Sequence, residues 1–251
     1  MRRWLGVAAG VLAATVLAGC PTHQTSGPTP VQVALWHGQP PALSAKLLLK
    51  ATDANGESLQ TTLYLWHAAD GRTRLLLTKV DVDVLQALIQ PDGSFVAFAP
   101  RSQFKTSGEL ADPKLPTGLA DLRLLLSEVC DGPVPPSARL TAGDSGVFSG
   151  SAGSYQATLS FDPATFEVRD KLLSDAAGHP RYHLAYTRYQ AFDELHRPTR
   201  VEVAPPEGGS LVAHLLRCES LGDISAERMR LAIPETARAV TPTDFLEHLD
   251  Q

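Results

Sequence analysis

The sequence lacks an apolar run long enough for a comfortable transmembrane helix, which needs roughly 20 consecutive apolar residues. Its most apolar stretch covers only residues 4–18. It lacks a basic stripe as well. Lys and Arg number 22 against 27 Asp and Glu, a formal net charge of −5. With no row of cations to displace phosphate counterions, a nucleic-acid partner is excluded. Catalytic motifs are also missing. Gly143-Asp144-Ser145-Gly146 does not have the Gly-x-Ser-x-Gly spacing of a nucleophile loop. His179 and His183 stand four apart, yet no nearby cysteine or carboxylate completes a metal set, and only His183 falls inside the strand expected at 181–189. Asp81 and Asp83 alternate around Val82 as a solvated turn or edge would. The expectation is a non-enzyme without metal or cofactor. No internal repeat divides the chain.

What is present begins with a leader. Arg2 and Arg3 give a positive start, residues 4–18 give a short apolar segment, and Leu17-Ala18-Gly19-Cys20 closes it. That arrangement is a secretory signal and not a span. The four closing residues resemble the lipobox of a bacterial lipoprotein precursor. The resemblance implies cleavage after Gly19, lipidation of the Cys20 thiol, and anchoring by lipid. Pro21 stands where an aspartate would have resembled an inner-membrane retention signal, so the implied location is the periplasmic face of the outer membrane. Residues 21–30 read Pro-Thr-His-Gln-Thr-Ser-Gly-Pro-Thr-Pro, a polar stretch with nothing to bury. The expected organisation is a signal peptide at 1–19, a lipidated N-terminus and flexible spacer at 20–42, and one domain at 43–251. The first folded residue is expected between Val31 and Leu43.

Loss of Arg2 and Arg3 with the leader leaves 232 residues with 20 basic and 27 acidic side chains, a net charge of −7. That length builds one sizeable core. Of three cysteines, Cys130 and Cys218 remain after Cys20 is lipidated. In an oxidising compartment this even pair could form one disulfide, worth about 3 to 5 kcal/mol if the geometry permits. Cys130 ends a helix-like stretch and Cys218 a strand-like one, so sequence alone does not bring them together.

Most of the chain alternates at period two between glycine, proline and aspartate turns, which predicts a β protein. Strands are expected at 44–50, 58–66, 72–79, 154–161, 165–173, 181–189, 199–204 and 210–221. Val84-Leu85-Gln86-Ala87-Leu88-Ile89 could be a short helix, but Pro91-Asp92-Gly93 and the following run to Ala99 favour a hairpin. Phe95 and Phe98 then fall on opposite faces. Leu122, Leu125, Leu126 and Val129 have the spacing of a buried helical stripe over 119–129, with Asp121 favouring its first turn and Asp131-Gly132-Pro133 ending it. Phe245 and Leu249 suggest a last short helix at 241–249. A sheet with two apolar faces must close or be covered. The fold class expected is mainly β: a curved antiparallel sheet forming an incompletely closed barrel covered by one or more helices, with a simple β sandwich as the alternative.

Over roughly residues 43–234 the chain resembles the LolA/LolB superfamily of carrier-like lipoproteins. The resemblance rests on element order, on Pro91-Asp92-Gly93-Ser94-Phe95-Val96-Ala97-Phe98-Ala99-Pro100 before an apolar helix, and on Met229-Arg230-Leu231-Ala232-Ile233-Pro234 near the end. It implies an open barrel lined by apolar residues and lidded by helices. It also implies an anchored carrier or acceptor, closest to LolB, that holds acyl chains, lipids or lipidated proteins received from a periplasmic carrier. Candidate lining residues are Leu63, Leu65, Leu75, Leu77, Val96, Phe98, Leu159 and Phe161, positions that could equally form a closed core. LolB-like proteins carry an apolar tip between early strands. Residues 80–85 are the nearest match, and Asp81 and Asp83 depart from it. The alternative is a non-catalytic envelope scaffold that binds another protein.

Overall fold

The structure is a computed structural model describing residues 28–38, 40–110, 112, 117–135, 138–143, 146–247 and 249. Cys20, the leader, Asp144 and Ser145 lie outside the described residues. A helix α1 (Pro30–His37) is followed by β1 (Ala42–Thr52), β2 (Ser58–His67), β3 (Thr73–Lys79), β4 (Val82–Ile89), β5 (Ser94–Ala99) and β6 (Phe104–Glu109). Helix α2 (Thr117–Cys130) crosses to β7 (Arg139–Ala142), β8 (Val147–Ala152), β9 (Tyr155–Phe161), β10 (Val168–Ser174), β11 (Pro180–Phe192), β12 (Leu195–Ala204) and β13 (Ser210–Leu221). The chain finishes with β14 (Arg238–Ala239) and α3 (Pro242–Glu247).

The strands make one 14-stranded sheet in the order β14-β6-β5-β4-β3-β2-β1-β13-β12-β11-β10-β9-β8-β7. Two meanders are therefore joined where the last long strand, β13, pairs antiparallel with the first, β1. The register there slips between Lys46 and Leu47, leaving Leu216 as the extra, exposed residue of a bulge. All pairings are antiparallel except β14 on β6, which is parallel and departs from the expected all-antiparallel sheet. The sheet is open, with β14 and β7 at its edges.

Local chemistry sets the turns. Asp53 Oδ1 accepts from the amides of Asn55 and Glu57, and Gly56 takes φ of 88°. At the tip between β3 and β4, Val80 and Asp81 both have positive φ, of 51° and 60°. Two left-handed residues give the twist a two-residue hairpin needs, although a β-branched residue adopts that region at a cost. Val80 is 90% exposed there.

Residues 84–89 are strand and not helix, as the following turn favoured. Helix α2 begins at Thr117, two residues earlier than expected, so Asp121 lies inside the helix and does not cap it. The spacer is also shorter than expected at its C-terminal end, because residues 30–37 are helical. Thr29 Oγ1 accepts from the Gln32 amide while the Gln32 side chain accepts from the Thr29 amide, and Pro30 needs no amide partner at the first helical position. Eight residues do not hold a helix by propensity alone. Docking supplies the rest: Val33 and His37 are buried, Arg197 Nη2 donates to Gly38 O at 2.9 Å, and Arg197 Nη1 donates to His37 O. Trp36 stacks on His196 with centroids 4.5 Å apart.

The main core lies on the concave face and joins both meanders to α2 through Leu125, Leu126 and Val129. Within it sits one ion pair. Glu128 of α2 accepts from Lys171 Nζ at 2.6 Å and from the Tyr186 hydroxyl at 2.7 Å, all three side chains being buried. Burial pushes the Glu128 carboxyl upward, and its two donors oppose the shift. A smaller cluster on the other face contains Ile224 and Met229, against which Trp66 and Leu88 pack.

Candidate functional site: an apolar hollow under the last helix

Alternation along β3, β4 and β5 places Leu75, Leu77, Leu85, Ala87, Phe95 and Ala97 on the concave face. The register then sets Leu75 opposite Ala87, Ala87 opposite Ala97, and Ala97 opposite Thr106. A row of two alanines and a threonine across neighbouring strands leaves the floor low. The roof is made of larger side chains: Leu122 and Leu126 from α2, and Phe245, Leu246 and Leu249 at the C-terminal end. Between floor and roof is a hollow of about 230 Å³. The Thr106 hydroxyl is buried within this wall without a hydrogen-bond partner among the described residues.

The C-terminal segment reaches this roof by wrapping the β6 edge. Ile224 and Met229 lie on the convex face with Trp66 and Leu88. The amides of Arg238 and Val240 then bond Gln103 O and Lys105 O, at 2.9 and 3.0 Å. Thr241 Oγ1 accepts from the Asp244 amide at 3.2 Å and starts α3, which turns Phe245 into the core at 2% exposure.

A second hollow of about 710 Å³ lies outside the first and shares Leu77, Leu85, Leu246 and Leu249 with it. Sites for small ligands run to roughly 300–1,000 Å³. The inner hollow falls below that range by itself, and the outer one lies within it. Lys79, Arg101 and Ser102 stand on the outer wall.

Of the eight positions expected to line a cavity, Leu75 and Leu77 do so here. Leu63 and Leu65 share the concave core but are fully enclosed. Leu159 and Phe161 belong to the second meander, where Phe161 stacks on Phe148 at 4.2 Å and fills the space. Val96 and Phe98 require a correction. Strand parity puts them on the face opposite Phe95 and Ala97, with Val96 38% exposed and Phe98 buried outside the main core. Sequence reasoning missed Ala87, Ala97 and Leu246. The alternation of 94–99 carried a signal for Ala97, but the choice of face needed the register.

Cys130 and Cys218 are both buried free thiols. Burial pushes both upward, Cys218 to about 11, and the charge of each bears on common neighbours such as Arg197. His183 Nε2 lies 3.1 Å from Asp170 Oδ1, and His179 lies 3.4 Å from Asp175, so the two histidines have separate carboxylate neighbours at the surface. Among the described residues no cluster of three or more candidate ligands could hold a metal ion. No described helix is long and apolar enough to cross a membrane.

No family model matches the chain, and no curated protein matches it. Solved structures do share its fold. A LolA superfamily protein from Nitrosomonas europaea has a TM-score of 0.55 and 10% identity, covering 81% of this chain and 98% of that one. A domain described as an outer membrane lipoprotein-sorting protein, from Vibrio parahaemolyticus, has a TM-score of 0.58 and 13% identity over 80% of this chain and 94% of its own. A DUF1329 family protein from Desulfovibrio piger has a TM-score of 0.58 and 11% identity over 80% and 95%. The open, curved sheet with helices on its concave face is thus the fold of LolA superfamily proteins.

Proposed function

We propose that this protein is a lipid-anchored carrier of the bacterial outer membrane that takes an acyl chain, free or attached to a protein, into the hollow beneath α3. The observation that carries the reading is the hollow itself, floored by Ala87 and Ala97 and walled by leucine and phenylalanine. Transfer of hydrocarbon from water to such a wall contributes about 0.8 kcal/mol per methylene, with no bond chemistry. Leu246 and Leu249 stand between the inner and outer hollows, so an entering chain displaces them and α3 acts as the lid. The exposed Val80 tip would touch the bilayer during transfer, flanked by Asp81 and Asp83, which limit its depth. Lipidated Cys20 keeps the domain at the membrane, and a soluble periplasmic carrier hands over the cargo. An acyl chain provides little directional recognition, so the inner hollow by itself discriminates little among chains.

In the same reading an oxidising periplasm allows Cys130 and Cys218, free thiols in the structure, to be joined in a disulfide. Intact-mass comparison before and after reduction is expected to show one bridge, and two free thiols in the secreted protein would remove it. For the carrier, saturable uptake of a fluorescent fatty-acyl probe and co-purified lipid are the expected results. A filled, non-binding interior would overturn it.

A further inference from the structure

The outer hollow has a chemical asymmetry that acyl binding alone does not require. Among the described residues that line it, the ionisable ones are both cations, Lys79 and Arg101. This occurs in a chain whose formal charge is −5. Lys79 extends the alternation of Leu75 and Leu77 and therefore sits at the rim of the same concave face. Arg101 and Ser102 lie in the turn between β5 and β6, closed by Gln103 at φ of 56° with its side chain donating to Pro100 O at 2.5 Å. Among the described residues neither cation has a carboxylate partner. The Ser102 hydroxyl is buried and has no partner there either. A buried hydroxyl ordinarily has a hydrogen-bond partner. Two cations therefore line the outer part of a largely apolar hollow, with Ser102 next to Arg101 in the turn.

We propose that the preferred ligand is an anionic amphiphile, with its chain under α3 and a carboxylate or phosphate head between Lys79, Arg101 and Ser102. Lys79 is a mobile point charge and Arg101 a planar fork of donors; together they suit an oxyanion of either kind. The proposal rests on the reading that the hollow takes an acyl chain. It narrows the cargo, because a diacylglyceryl thioether carries no anionic head and would gain nothing at this rim.

The test uses the full chain with Cys20→Ala and displacement of a fluorescent acyl probe by laurate, dodecyl phosphate, monolaurin and inorganic phosphate. Laurate and dodecyl phosphate are expected to bind about fivefold or more tightly than monolaurin, the scale of two solvent-accessible ion pairs. Lys79→Gln/Arg101→Gln should bring the ratio of laurate and dodecyl phosphate affinity to monolaurin affinity down to about one, and added salt should reduce that ratio for the unsubstituted protein. The ratio of laurate to dodecyl phosphate identifies which head is favoured. Equal binding of all three amphiphiles to the unsubstituted protein would overturn the anionic head and leave the acyl reading intact. Competition by inorganic phosphate as strong as that by dodecyl phosphate would overturn the amphiphile in favour of a plain anion site. Failure of every amphiphile to displace the probe, or of the probe to bind, would remove both readings together.

Discussion

His37 shows how one side chain fixes where the folded part begins. Its Nδ1 lies 3.0 Å from His196 O, and the ring is 1% exposed. Burial first, with the charges of Arg197, His196 and Lys171 assisting, lowers its pKa from 6.5 to about 4. The unfolded chain therefore binds the extra proton between these values. Stability from this group is fully present above pH 6.5 and falls by up to about 3 kcal/mol as pH drops through 4. Urea unfolding across pH 7 to about 4 should show this loss, and His37→Gln should flatten it; an unchanged slope in the variant would assign the acid sensitivity elsewhere. The Lys171–Glu128 pair makes a second residue-scale prediction. Lys171→Met leaves a buried carboxylate with one donor, and should cost about 3 to 5 kcal/mol in unfolding free energy. Adding Glu128→Gln should restore part of it. Near-neutral behaviour of Lys171→Met alone would contradict the pair's role in joining α2 to β10 and β11.

At the scale of elements, the proposed uptake of an acyl chain requires α3 to move. It has six residues, fewer than an independent helix requires, and depends on Phe245 in the core and on β14 at the sheet edge. Phe245→Ala should release it, raising the association rate of an acyl probe and the amide exchange of residues 242–247 while β1 and β13 stay protected. Slower or unchanged uptake would make α3 a fixed wall. Much at this scale was legible in the sequence. The long strands at 58–67 and 210–221 and helix α2 follow from periodicity, because each presents a continuous apolar face to one core. Helix α1 was not legible, since its stability comes from Arg197 and His196, about 160 positions away. The short strands β6, next to one sheet edge, and β7, at the other, carry Gly, Ser and Arg and no alternation of their own, and only a partner strand defines them. The hollow was illegible for the same reason: Ala87 and Ala97 are ordinary small strand residues until the register sets them side by side.

On the scale of the whole molecule, the two meanders differ in how they treat their concave faces. The second is filled, by Phe148 on Phe161 and by Tyr186 with its polar partners, whereas the first leaves space beneath α3. In the proposed function one half is the scaffold and the other the container. In the proposed reading the anchor at Cys20 precedes both meanders in sequence, so Cys20→Ala should abolish membrane association, leave thermal unfolding unchanged and weaken cargo delivery more than cargo binding, because tethering acts through local concentration. Loss of folding in that variant would contradict the separation. The container is tested most directly by filling it. Ala97→Phe should occupy the hollow, with Ala87→Leu as the smaller replacement should the first disturb folding. Acyl-probe titration of the folded variants beside the unsubstituted protein is the decisive measurement. Saturable binding to the unsubstituted protein, lost when the hollow is filled and Tm is retained, is the expected result; binding that survives the filling would place the ligand elsewhere and contradict the carrier.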